Sequence, residues 1–121
     1  MALFGTRETQ GGGDYSWVGP GTDITKADTG TLDAASFTDK IVASGTPVYR
    51  DENGICVPWS GQNPAGLRFV IHDQSVEDGD GTCALLWTGL IKVNNLPVDF
   101  TPVTGALFAY DGAFPTVEGG A

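Results

Sequence analysis

Between Thr46 and Val98 the apolar positions fall into short runs separated by two turn signals, Asp51-Glu52-Asn53-Gly54 and Glu77-Asp78-Gly79-Asp80-Gly81. Short apolar runs bounded by Gly, Asn and Asp predict β-strands and not helices. Pro47–Arg50 and Ile55–Trp59 flank the first signal, where Asn53 and Gly54 can adopt positive φ, so the pair reads as a hairpin. Pro58 lacks an N–H and therefore marks a strand end or an edge. After a loop over Ser60–Gly66, Leu67-Arg68-Phe69-Val70-Ile71 is mostly apolar, which predicts a strand buried on both faces or nearly so. Thr82–Trp87 follows the acidic loop, and Gly89 interrupts the pattern before Leu90–Val93, as a bulge or bend would. Upstream, Thr31–Phe37 and Lys40–Ala43 carry strand-forming residues, with Asp33-Ala34-Ala35 able to form one helical turn. Downstream, Ala106–Tyr110 alternates apolar and small residues. The pattern predicts an all-β fold, a small barrel or sandwich, over a body of residues 31–121; the tail from Phe100 to Ala121 is left without an assigned role.

Residues 1–30 show neither period. They contain Gly11-Gly12-Gly13 and Gly19-Pro20-Gly21, and are expected to form an extended, flexible N-terminal arm. Tyr15 and Trp17 lie in the middle of it, where no patterned core surrounds them. Aromatic residues so placed are candidate anchors for a partner surface, the alternative being that they fold back onto their own body. An extended arm can add a strand to a partner's exposed sheet edge, with side chains such as Trp17 supplying selectivity.

Length and charge narrow the function classes. A chain of 121 residues is at most one domain, and a body of roughly 80–90 residues buries about 60–65% of its unfolded surface, so association with further copies would add useful burial. The 18 glycines and 7 prolines favour many short strands. A net charge of −9 argues against nucleic acid and against anionic membranes, both of which require clustered Lys and Arg. No apolar signal-like run follows Met1-Ala2-Leu3-Phe4, and no run approaches a membrane span. Cys56 and Cys83 both sit in strand-like runs without Cys-x-x-Cys spacing, and read as buried cytosolic thiols, the alternatives being a disulfide or a metal pair.

Candidate chemistry is sparse. The single histidine, His72, is followed by Asp73 and then Ser75, but neighbours along an extended chain point apart, so they do not form a triad. The loop Asp73–Asp80 offers carboxylates yet lacks the regular ladder and terminal Glu of a specific calcium loop. Gly11-Gly12-Gly13 neither follows a strand nor opens a helix, and so is no phosphate cradle. No catalytic residue, metal site or cofactor is assigned.

The ordered set Gly45-Thr46-Pro47-Val48-Tyr49, Asn53-Gly54, Ile55-Cys56-Val57-Pro58, Ala65-Gly66-Leu67, the Asp/Gly-rich turn and Gly89 leading to Leu96-Pro97 resembles the head decoration proteins of tailed bacteriophages. The similarity spans roughly residues 31–100, and the lead matches that family's layout and not its letters. The resemblance implies a β-tulip-type fold and a homotrimer seated at local three-fold sites on the outer surface of the expanded capsid. It implies a structural virion protein, made in the host cytoplasm, whose arm contacts the major capsid protein. Carried onto this sequence, the arm contacts would come from Tyr15, Trp17, Val18, Ile24 and Thr25. Two other readings fit a small β domain with a flexible lead. One is a phage tail, baseplate or fibre module; the other is a carbohydrate-binding β-sandwich using Trp59 or Trp87 as sugar platforms, although their apolar surroundings favour core packing.

Overall fold

The computed structural model describes residues 13–25 and 27–112, and the fold is all-β. Nine strands run in chain order: β1 (Ala27–Leu32), β2 (Ile41–Val42), β3 (Pro47–Arg50), β4 (Ile55–Pro58), β5 (Leu67–Val70), β6 (Gln74–Ser75), β7 (Gly81–Leu86), β8 (Gly89–Lys92) and β9 (Phe108–Asp111). Five of them close a barrel in the order β1-β4-β3-β5-β7. Strands β2 and β6 pair as a separate short ribbon, as do β8 and β9.

The expected hairpin is present. β3 and β4 pair antiparallel with Tyr49 opposite Val57, and Gly54 takes φ +83° at the turn. Asp51 fixes the turn by accepting the N–H groups of Asn53 and Ile55 at 2.8 and 3.0 Å, as turn-initiating aspartates do. Pro58 ends β4, whereas Ala34–Ser36, where the β-branched neighbours favoured strand, forms a 3-10 turn.

Strand β1 closes the barrel and falls across the expected boundary between arm and body. It pairs antiparallel with β7 from Ala27↔Leu86 to Leu32↔Gly81, and parallel with β4 at Thr31↔Ile55 and Leu32↔Cys56. Residues 27–30, read from the sequence as part of the arm, are therefore wall. Their strand character was hidden because the inward position is Gly30, which carries no apolar side chain to register. A Cβ at Gly30 would lie 2.6 Å from both Cys56 Sγ and Leu85 Cδ1. Gly30→Ala would gain a few tenths to about 1 kcal/mol from reduced unfolded-state entropy. Overpacking costs typically about 1–3 kcal/mol and should prevail. The expected result is net destabilisation, read as a lower urea midpoint with unchanged slope.

Two apolar layers share the wall formed by β5 and β7. Leu32, Val42, Val48, Cys56, Val70, Val76 and Leu85 form one cluster, with the barrel strands contributing inward residues. Trp17, Leu67, Phe69, Ile71, Leu86 and Ile91 form the other, covered by the lead, β8, β9 and the segment from Leu96 onward. Val70 and Leu85 belong to the first layer while Phe69 and Leu86 belong to the second, so consecutive side chains alternate between two buried faces. That is why Leu67–Ile71 lacks polar alternation. The free thiols Cys56 and Cys83 lie at the first layer, where burial raises their pKa values to about 11 and about 12, respectively. The thiolate is the reactive form, so both are poorly reactive at neutral pH.

On the same sheet face as Gly30 and Leu32, toward one end of the barrel, Asp28 of β1 joins two arginines. Arg68 Nε donates to Asp28 Oδ2 at 3.2 Å, Arg50 Nε lies 3.6 Å from the same oxygen, and Arg50 Nε donates to the Thr29 carbonyl at 2.8 Å. Burial pushes the Asp28 pKa up, but hydrogen bonds from the Thr29 N–H and Arg68, with both guanidinium charges, outweigh it and hold the carboxyl below its usual range. A carboxylate with a depressed folded-state pKa stabilises the fold above its unfolded pKa, near 3.9, and that contribution disappears as pH falls through the folded value. Asp28→Asn should therefore be less stable than the parent at neutral pH, with the gap narrowing below about pH 4. Paired urea titrations at neutral pH and at about pH 3 would read this; partial exposure keeps the effect modest.

Candidate interaction surface

The described part of the lead is fastened to the body by backbone pairing to β8. Lys92 N–H donates to the Trp17 carbonyl and Gly19 N–H to the Leu90 carbonyl, both at 2.8 Å, and Val18 forms an antiparallel bridge with Ile91. Residues 17–19 thus line the edge of β8, whose other edge pairs parallel with β9. Thr22 extends the attachment, its Oγ1 accepting the Leu90 N–H at 2.8 Å.

Trp17 is fully buried and stacks on Phe69 with ring centroids 5.8 Å apart. Its Nε1–H donates to Ser44 Oγ at 3.0 Å, and Ser44 Oγ in turn donates to the Ile71 carbonyl at 2.5 Å. Ser44 N–H donates to Asp73 Oδ1 at 2.7 Å, so both the backbone N–H and the hydroxyl of this buried serine are partnered. Gly45 takes φ +91° directly beneath the indole, where a Cβ would come within 2.8 Å of Trp17 Cδ1.

These contacts correct the expectation that the lead's aromatic residues have no core to enter. Trp17 is a core residue of its own domain, because body residues distant in sequence build its pocket. Tyr15, Val18 and Ile24 pack partly buried against the same layer. Of the five residues assigned to arm contacts, only Thr25 is exposed, and its side chain is tied to Asp23.

His72 and Asp73 meet different partners. The Tyr15 hydroxyl and His72 Nδ1 are 2.7 Å apart, with the rings edge to face, while Asp73 accepts from Ser44. Burial, followed by the Asp73 charge, raises the Tyr15 pKa. The pair therefore fastens the lead to the body and is not arranged as a relay. In the acidic loop, Asp80 accepts the Ala34 N–H at 2.9 Å. Among the described residues no three His, Cys, Asp or Glu side chains are grouped as metal ligands would be.

Apolar depressions mark the surface of the described residues, and two of them bear on function. One, of ≈ 470 Å³, is lined in part by Phe37, Ile41, Pro58, Pro97 and Val98. Ile41 is 58% exposed and Val98 48%. The other, of ≈ 160 Å³, lies between Pro64, Trp87 and Leu107. Trp87 is partly solvent-facing, whereas Trp59 packs against the second core layer. Nothing in the sequence pattern singled out the first groove. Its only signal was Ile41 preceding the buried Val42 in a two-residue strand, so that one of two adjacent β-branched residues must face outward.

Both ends of the described chain lie close to the 3-10 turn Val93–Asn95. Gly13 shares a depression with Asn95 and Pro97, which adjoins the larger groove through Ala43 and Pro97. Gly112 packs beside Asn94, and a Cβ there would lie 2.9 Å from Asn94 Nδ2. Residues 1–12, which carry part of the expected arm, lie outside the described residues. Comparison with protein-family models, curated proteins and solved structures gives no significant match.

Proposed function

We propose that this chain is a structural virion protein that binds as a homotrimer at local three-fold sites on the outer surface of an expanded phage capsid and braces the shell. The resemblance over residues 31–100 supplies the candidate role. The single structural observation that favours attachment is the convergence of both chain exits beside the Val93–Asn95 turn, next to the apolar groove. Residues 1–12 would then contact the major capsid protein, while Trp17 and Val18 hold the base of the arm inside the domain. Modest contacts repeated three times in a trimer give avidity without requiring any one of them to be strong. If the recognised edge exists only in the expanded shell, binding stabilises that state selectively.

The test is purified protein added to undecorated expanded capsids, followed by imaging. The expected outcome is density at the three-fold positions, lost on deletion of residues 1–12 with little change in melting temperature. Absence of density from the shells would overturn the role, and full-affinity binding by the deletion variant would overturn the arm assignment. A deletion through residue 30 is unsuitable, since it removes Trp17 and the first four residues of β1. The exposure of Trp87 beside Leu107 favours a second reading, a carbohydrate platform, for which glycan binding should be lost in Trp87→Ala.

A further inference from the structure

We infer that the groove formed by Phe37, Ile41, Val42, Pro58, Pro97 and Val98 is the seat of the chain's own Leu3-Phe4 pair, bound in cis in the free protein. Two of the large apolar side chains exposed on the described surface, Ile41 and Val98, lie in this groove. Its ≈ 470 Å³ is within the range of about 300–1,000 Å³ that accommodates small apolar ligands, and admits two bulky side chains.

The occupant follows from where the described chain starts. Gly13 sits in the depression that shares Ala43 and Pro97 with the groove, so the twelve preceding residues depart from its rim. At Gly13 the backbone lies close against the body: φ is +150°, and a Cβ would come within 2.6 Å of Ser44 Cβ. Phe4 precedes Gly13 by nine residues, a reach of at most about 30 Å when extended. Among residues 2–12, Leu3 and Phe4 are the only large apolar side chains, followed by a polar stretch and the glycines. Tethering gives the pair an effective concentration that a free peptide lacks, so a modest apolar contact suffices.

The experiment uses the full chain in solution without capsids, so its outcome is independent of the capsid role. Nuclear Overhauser contacts are measured between the Phe4 ring protons and the Ile41 and Val98 methyl groups across a dilution series. The expected result is contacts whose intensity per molecule does not change with concentration and that vanish in Phe4→Ala, with the Ile41 and Val98 methyl resonances shifting while those of Leu85 stay in place. Absence of these contacts overturns the inference. Contacts that fade on dilution would instead assign the groove to a second copy, and contacts from Phe114 would assign it to the C-terminal segment; either outcome overturns it too.

Discussion

Trp17→Ala is expected to destabilise the protein by about 3–5 kcal/mol, the usual cost of removing a buried tryptophan. In a domain of this size each kcal/mol lowers Tm by roughly 4–8 °C, so a fall of more than about 12 °C should be seen by calorimetry or circular dichroism. Three losses combine. The indole leaves a void against Phe69, the Nε1–H bond to Ser44 disappears, and the lead loses the side chain that keeps its backbone paired to β8. The void dominates, because a single neutral hydrogen bond contributes only about 0.5–1.5 kcal/mol net. Trp17→Phe should recover much of the loss by refilling the cavity without restoring the hydrogen bond. The measurement separates two roles for this residue. An anchor reserved for a partner would leave Tm nearly unchanged on truncation, since substitutions away from packed features usually stay within about 0.5 kcal/mol.

Phe69→Ala is expected to cost a similar about 3–5 kcal/mol and to loosen a different part of the molecule. The Phe69 ring meets Trp17, Phe100 at 5.4 Å and Phe108 at 5.0 Å, the last two edge to face. Aromatic pairs of this kind contribute about 0.5–1.5 kcal/mol each beyond the area they bury. One side chain therefore links the lead, the wall of the barrel and the segment from Phe100 to β9. Hydrogen exchange should show β8 and β9 amides losing protection before those of β3 and β4, whose side chains at Val48 and Cys56 pack in the other layer. Uniform loss across both layers would show instead that the molecule opens as one unit.

The tail from Phe100 now has a place as far as Gly112. Phe100, Phe108 and Tyr110 cover the second layer, and the Tyr110 hydroxyl donates to the Val103 carbonyl at 3.2 Å. Read along the chain, these residues showed alternation without a partner. β9 pairs in parallel with β8 across an intervening connection, a non-local arrangement that local spacing does not encode.

Local chemistry was sufficient for the hairpin at Asp51–Gly54, the end of β4 at Pro58 and the doubly buried Leu67–Ile71, because turn residues and apolar runs act on their immediate neighbours. Composition and pattern together fixed the all-β class. Three features were decided only by the tertiary structure. Residues 27–30 became barrel wall because Gly30 admits Cys56 and Leu85 from two other strands. Trp17 became core because Ser44, Phe69 and Ile91 converge on it from distant positions. The Ile41–Val98 groove exists because a two-residue ribbon lies beside the Pro97 turn. In each case the deciding contact joins residues far apart in the chain, and its side-chain partners are set by the tertiary arrangement of separate elements and not by any period along the sequence.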